Sequence, residues 1–265
     1  TAIVPGGADG IGAGVAVRLA REGANVVVAD VDREGGEQVG ERLAEVGTGQ
    51  FVQTDVGDEE EVAALVEATV EAYGGVHVLV NNAVDGTVRR PGAFDQATFE
   101  RVLSTNLAGP FLLARECYPH MRAAGYGRIV NVGAIQATSP LAGAAAYATS
   151  KAGLEGLTRS LAMEWSAEGV TVNTVKVGVV FTREQAGEGW DPEVPVEQRY
   201  EDPPEAVDRE AATLVGRVGT PGDVAGLVAY LAGPESGFVT GATLRIDGGR
   251  LVSRKPEPIE QLDEE

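Results

Sequence analysis

A single cysteine, Cys117, stands in 265 residues. It has no internal partner, which excludes a disulfide-built scaffold and points to a reducing setting. A free thiol of this kind usually packs as a small hydrophobe. No apolar run reaches the length of a membrane-spanning helix. The opening TAIVPGG reads as strand and turn, not as a secretory leader, so a cytoplasmic location is expected. Positive charge is scarce: 21 Lys and Arg face 40 Asp and Glu, for a net charge of −19. Lysine occurs only at Lys151, Lys176 and Lys255. A nucleic-acid partner, which needs a basic surface, is excluded on that ground. Two readings of the acidity stay open: a solvated acidic face, or adaptation to high salt, where screening damps self-repulsion. His77 and His120 are isolated, so no metal site is expected.

What the chain has in abundance is aliphatic residues and 36 glycines. Short apolar runs at 2–4, 26–29, 50–53, 76–80, 128–132, 170–175 and 242–247 read as strands. Between them, helical patterns cover a stretch ending near Gly23, then 34–46, 59–73, 98–124, 147–168 and 223–232. Strands alternating with helices predict a single α/β domain over 1–249, a doubly wound parallel sheet with helices on both faces. Residues 182–215 break the rhythm with prolines and acidic residues, and they read as a long substrate-covering loop. Phe181, Trp190 and Tyr200 are candidates to line it. Residues 250–265 form an acidic tail.

The first strand leads into Gly6-x-x-x-Gly10-x-Gly12, which opens the first helix. Glycine allows a sharp turn and a close phosphate approach. The helix N-terminus behind it offers free N–H groups to a pyrophosphate. Asp9 and Ile11 lie inside this loop. Asp30 ends the second strand, 18 residues beyond Gly12. A carboxylate there accepts hydrogen bonds from ribose hydroxyls and repels a 2′-phosphate. With Val31 next to it and Asp9 in the loop, the pattern favours NAD over NADP.

Tyr147 and Lys151 form a Tyr-x-x-x-Lys pair ahead of a helical pattern of Leu154, Leu157, Leu161 and Trp165. If the helix includes Tyr147, the two share a face. A nearby ammonium favours a phenolate and lowers the Tyr pKa.

Taken together, the glycine loop, Asp30 and the Tyr147/Lys151 pair resemble the short-chain dehydrogenase/reductase family, over nearly the whole chain. Other segments match it in register. Asp55-Val56 is similar to the adenine-contacting pair after the third strand. Asn81-Asn82-Ala83 is similar to its Asn-Asn-Ala-Gly motif, which supports the cofactor. Asn106 resembles the family's site Asn, held in a helix kink where it anchors a water. Asn173, Gly178 and Thr182 match the segment whose Thr and nearby backbone, Val180 included, hold the nicotinamide. Asp247-Gly248-Gly249 matches its last strand. The resemblance implies hydride transfer between NAD and a secondary alcohol or ketone. Tyr147 would serve as acid–base group, Lys151 would bind the nicotinamide ribose and lower the Tyr pKa, and Asn106 would complete a proton relay. It also implies a homotetramer or homodimer joined through the helices at 98–124 and 147–168.

Four positions depart from the family pattern. Pro5 replaces a Thr, and loss of its N–H is expected to remove bonds between the first turn and the fourth strand. Val84 replaces a Gly beside the cofactor, and Val177 replaces a Pro. Ala134 stands 13 residues before Tyr147, where the family has its catalytic Ser. Such a donor is worth about 3–4 kcal/mol of transition-state stabilisation. Gln136 is the preferred substitute, with Thr138 and Ser139 as other candidates. Alternatively the substrate supplies its own polar group, or the protein is an impaired or non-redox relative: a lyase, an epimerase or an NAD-binding regulator.

Overall fold

A computed structural model describes residues 1–180 and 213–252. Seven strands form one parallel sheet: β1 (Ala2–Pro5), β2 (Asn25–Asp30), β3 (Thr48–Gln53), β4 (Val78–Asn81), β5 (Gly127–Ala134), β6 (Val170–Val177) and β7 (Thr243–Ile246). Their spatial order is β3-β2-β1-β4-β5-β6-β7. The order reverses between β1 and β4, and in such sheets that switch point opens the crevice where ligands bind. Parallel neighbours require crossovers, which the helices supply: α1 (Gly10–Arg21), α2 (Arg33–Val46), α3 (Glu59–Tyr73), α4 (Gln96–Leu103), α5 (Gly109–Ala124), α6 (Ala145–Trp165) and α7 (Pro221–Ala232).

The near-continuous apolar strands bury both sheet faces. On one face Val4, Val28, Val130 and Val175 pack against Val15 and Leu19 of α1, Leu43 of α2 and Val228 of α7. On the other, Ile3, Leu79, Ile129 and Val172 pack against Leu65 of α3, Leu113 and Met121 of α5, and Leu161 of α6. Cys117 belongs to this second layer and is fully buried, which pushes its thiol pKa up. Helix starts follow local chemistry. Asp32, Asp58 and Asp95 cap α2, α3 and α4 through their carboxylates. Thr220 and Asp223 cap each other's backbone around Pro221 at the start of α7.

Most expected boundaries move by one to three residues, and two changes have a specific local cause. The fourth strand begins at Val78, because the His77 and Val78 N–H groups both bond to the Thr1 carbonyl at the sheet's entry. The expected single helix over 98–124 is three segments, α4, a π-helical turn over Ser104–Ala108, and α5. Pro110 has no N–H to bond the carbonyl four residues back, that of Asn106, so the α ladder cannot run through.

Candidate active site

The glycine loop is built for close approach. Gly6 and Gly10 have φ of 70° and 58°, left-handed values that suit glycine. A Cβ on Gly12 would sit 2.1 Å from the Gly6 carbonyl oxygen, and one on Gly6 would sit 2.5 Å from Cα of Ala83. Side chains at these positions would therefore clash with the turn itself and with the end of β4, so the tight turn requires glycine. Asp9 provides the extended residue preceding α1. Asn82 donates from Nδ2 to the Gly6 carbonyl oxygen at 2.7 Å. This corrects the expectation from Pro5: the first turn stays tied to the end of β4, through a side chain that does not need the missing N–H.

Asp30 closes β2 with both carboxylate oxygens engaged. Oδ2 accepts from Ala8 N at 3.1 Å, and Oδ1 from Asp32 N at 3.0 Å. The glycine loop and the end of β2 are thus locked together, with the carboxylate partly accessible. Asp55 is exposed after β3, and its Oδ1 accepts from Gly57 N at 2.8 Å. Val56 is 5% exposed and its side chain faces the second core layer beside Gly109.

One cavity of about 950 Å³ opens at the carboxyl ends of the central strands. Ile11, Asn82, Gln136, Tyr147, Lys151 and Val180, all singled out from the sequence, line it. Thr182, Phe181, Trp190 and Tyr200, and most of the 182–215 loop, lie outside the described residues. Ala134 also lines the cavity, 8% exposed at the last position of β5. Val84 is half-exposed on the rim, and Val177 is buried at the end of β6. Gly178 follows, where a Cβ would lie 2.6 Å from Cα of Asp247. That close approach joins the ends of β6 and β7 under the cavity. Arg89 and Arg90 are exposed.

Tyr147 and Lys151 sit one turn apart near the start of α6. Lys151 is 3% exposed and donates from Nζ to the Val132 carbonyl oxygen at 2.7 Å. Its ammonium lies 5.8 Å from the centre of the Tyr147 ring. Burial lowers the Lys151 pKa to about 8 and raises that of Tyr147 to about 12. Without a bound ligand, desolvation therefore overrides the expected lowering of the Tyr pKa by the lysine.

Asn106 is fully buried in the π turn. Its Oδ1 accepts from Asp85 N at 2.7 Å, and its Nδ2 donates to the Asp85 carbonyl at 3.0 Å and to Ser150 Oγ at 3.1 Å. Ser150 in turn donates to the Tyr147 carbonyl at 2.7 Å. The side chain is thus spent on positioning the loop at Asp85 and the first turn of α6. Its backbone carbonyl cannot receive the regular helical bond, because residue 110 is Pro110. Ser150 lay within the Tyr-x-x-Ser-Lys spacing but was not singled out from the sequence. Asn173 likewise serves the fold, donating to the Val239 carbonyl and accepting from Ala242 N.

Gln136 sits in the 3-10 turn Ile135–Ala137, directly after β5. Its Oε1 is buried and has no hydrogen-bond partner. Thr138 also lines the cavity, but its Oγ1 accepts from Lys176 Nζ at 2.7 Å, and Lys176 pairs with Glu155 at 2.7 Å. Among the described residues no group of three His, Cys, Asp or Glu lies together in a metal-binding cluster.

Comparison with known proteins adds three kinds of likeness. A family model described as Enoyl-(Acyl carrier protein) reductase matches residues 6–250. An uncharacterized oxidoreductase of Thermotoga maritima is 38% identical over 253 residues, covering 95% of both chains. A cis-4-hydroxycyclohexanecarboxylate dehydrogenase of Sinomonas cyclohexanicum is 38% identical over 250 residues, covering 94% of this chain and 95% of that one. A solved structure described as a short chain dehydrogenase/reductase family protein superposes with a TM-score of 0.80 at 34% identity, covering 95% of this chain and 97% of the other.

Proposed function

The chain belongs to the short-chain dehydrogenase/reductase family of oxidoreductases, which use nicotinamide cofactors, and on that premise we propose that it interconverts a secondary alcohol and a ketone with NAD. The convergence of Tyr147, Lys151 and Gln136 on one cavity beside the glycine turn carries this reading. The cofactor, when bound, supplies or accepts the hydride.

The residues fit such a cofactor. The tight glycine turn at Gly6, Gly10 and Gly12, with the α1 N-terminus behind Asp9, suits a pyrophosphate. Asp30, fixed by two backbone N–H groups, suits a ribose diol and opposes a 2′-phosphate. Asp55 and the backbone of Val56 take the adenine side, and Asn82 and Ala83 support the glycine loop from the end of β4. Ile11 and Val180, which line the cavity, flank the nicotinamide side.

Tyr147 gives its proton to the carbonyl oxygen in reduction and takes it back in oxidation. Lys151, whose ammonium lies one turn from Tyr147, would hold the nicotinamide ribose of a bound cofactor and favour the phenolate. The Asn106 carbonyl anchors the water that passes the proton outward. Gln136, which lines the cavity two residues after Ala134, donates from Nε2 to the substrate oxygen in place of the absent serine. Ala134 also motivates the competing reading of a slow or non-redox relative.

The readings separate on two measurements. Fluorescence titration should show NADH binding at least tenfold tighter than NADPH. A panel of secondary alcohols and ketones should show turnover that falls a thousandfold or more in Tyr147→Phe, within the range seen for lost acid–base groups. Dinucleotide binding without turnover of any panel member would favour the non-redox reading.

A further inference from the structure

Resting on the oxidoreductase reading, we propose that Thr138 is a specificity-determining residue, with Lys176 as the positioning residue behind it. The Thr138 O–H donates to a second oxygen of the substrate, one that does not react. The starting point is a buried ion pair that the chemistry above does not use. Lys176 is one of three lysines in a chain of net charge −19, and it is 9% exposed on β6. The register of β5 and β6 sets it beside Gly133, which has no side chain to stand in its way. Its Nζ lies 2.7 Å from Oε1 of Glu155, one turn beyond Lys151 on α6, and donates to Thr138 Oγ1 at 2.7 Å. Glu155 Oε1 is buried and meets the ammonium as a charge pair, without the alignment of a hydrogen bond. The directed bond of Lys176 is the one to Thr138.

An ammonium only donates, whereas a hydroxyl has one hydrogen and two lone pairs. Lys176 therefore occupies a lone pair of Thr138 and leaves its hydrogen to give. The charge also polarises that O–H and strengthens it as a donor. Among the described residues the Thr138 hydroxyl has Lys176 as its one partner, and it lies exposed where the residue lines the cavity. The backbone beneath it is fixed, since Thr138 N donates to the Ile135 carbonyl at 3.0 Å at the end of the 3-10 turn. A pair that served stability alone would need no hydroxyl facing the cavity. Ser139 lines the same wall, but no ammonium orients its hydroxyl, which is free to donate or accept and so selects nothing. A donor whose lone pair is already taken selects for an acceptor oxygen: a carbonyl, an ester or a carboxylate. A carboxylate gains most, because Lys151 and Arg245 line the cavity and no Asp or Glu among the described residues does. The second oxygen is bound and released unchanged, while the reacting oxygen stays with Tyr147 and Gln136.

The test uses methyl ketones that carry a carboxylate at increasing distance (4-oxopentanoate, 5-oxohexanoate and 6-oxoheptanoate), their methyl esters, and 2-alkanones of matched length. KM and kcat are read with NADH in the wild type, Thr138→Val, Thr138→Ser and Ser139→Ala. At the chain length that reaches Thr138, Thr138→Val should raise KM roughly ten- to a hundredfold for the acid and about three- to tenfold for the ester, the worth of one hydrogen bond to a charged and to a neutral acceptor. The alkanones should lose at least fivefold less, and kcat should hold, as expected for an interaction made equally in ground and transition states. Thr138→Ser should restore the acid to within about threefold of the wild type, and Ser139→Ala should spare it. Lys176→Met is made together with Glu155→Gln, so that no buried charge is stranded; it should raise KM for the acid with Thr138 still present, and an unchanged KM would overturn the part given to Lys176. A Thr138→Val loss shared equally by the alkanones would place Thr138 on the reacting oxygen instead. That result, or no loss at any chain length, would overturn the proposal. Turnover of the ketones in either case would leave the oxidoreductase reading standing. If no ketone turns over, that reading falls, and Kd by calorimetry on the NADH-loaded protein decides the role of Thr138 by the same comparison.

Discussion

Burial governs the two titrating groups of the site. Lys151 is held near a pKa of about 8, below its ordinary 10.5, because its ammonium is buried with one carbonyl for company. Between those two pH values the unfolded chain binds more protons than the folded one, so stability rises with pH through that window. At pH 7 the full penalty stands, roughly 3 kcal/mol for a shift of this size. Lys151→Met should therefore abolish turnover yet raise the melting temperature at pH 7. The advantage over the wild type should vanish by about pH 10.5. A variant less stable than the wild type at pH 7 would show that the Val132 bond outweighs the desolvation. Tyr147, at about 12, stays protonated across the working range. In the reductive direction kcat/KM reports the free enzyme. It should be flat from pH 6 to about 8 and fall above that as Lys151 loses its charge. A falling limb below pH 7 would contradict this. The Tyr-x-x-x-Lys spacing made the pair legible in the sequence. The direction of the Tyr shift was not, because spacing gives proximity along a helix but not the depth of the strand ends beneath it.

The element that most shapes the site is the π turn between α4 and α5. It turns the Asn106 side chain onto the Asp85 backbone and Ser150, and Arg101 of α4 braces the same loop through the Asp85 carboxylate. Asn106→Leu removes three buried bonds and leaves the Asp85 N–H without a partner. The expected cost is about 2–4 kcal/mol, seen as a lower denaturant midpoint with an unchanged m-value. A loss under 1 kcal/mol would mean that the loop is held by Arg101 and Thr87 instead. From the sequence this region read as one long helix, since a single π turn interrupts the α periodicity too briefly to show in the apolar pattern. Pro110 was the available signal: four residues after Asn106, it forbids the regular bond. The strands and the other helices were legible because their apolar runs and caps act locally. The exact start of β4 was not, because it depends on pairing with Thr1 at the far end of the fold.

At the scale of the molecule the net charge of −19 sets the long-range field. Self-repulsion of that size destabilises the compact state and is damped by salt. At about 1 M salt the screening length falls to about 3 Å. If the surface is adapted to high salt, the melting temperature rises by several degrees between low and molar salt. An unchanged value would favour the plain solvated face. No helix among the described residues is long and apolar enough to cross a membrane. We further propose a homotetramer or homodimer joined through α5 and α6, where Phe111 and Met163 are exposed. Gly153 of α6 packs inward, since a Cβ on it would sit 3.0 Å from Leu107 of the same chain. The doubly wound architecture was legible at this scale from strand–helix alternation alone. Gln136 was legible as a candidate donor from its place two residues after Ala134; the burial of its unpartnered Oε1 was not, because that depends on the fold around the turn.

The central claim is that Gln136 does the work of the missing serine. The most direct measurement is kcat/KM in a cycle of wild type, Gln136→Leu, Ala134→Ser and the double variant, with the fastest ketone of the panel as substrate. Gln136→Leu should lose about a hundred- to a thousandfold, the value of one such donor. Ala134→Ser alone should change the rate less than tenfold, and adding it to Gln136→Leu should restore most of the loss. A Gln136→Leu enzyme as fast as the wild type, or an Ala134→Ser enzyme faster by orders of magnitude, would contradict the account.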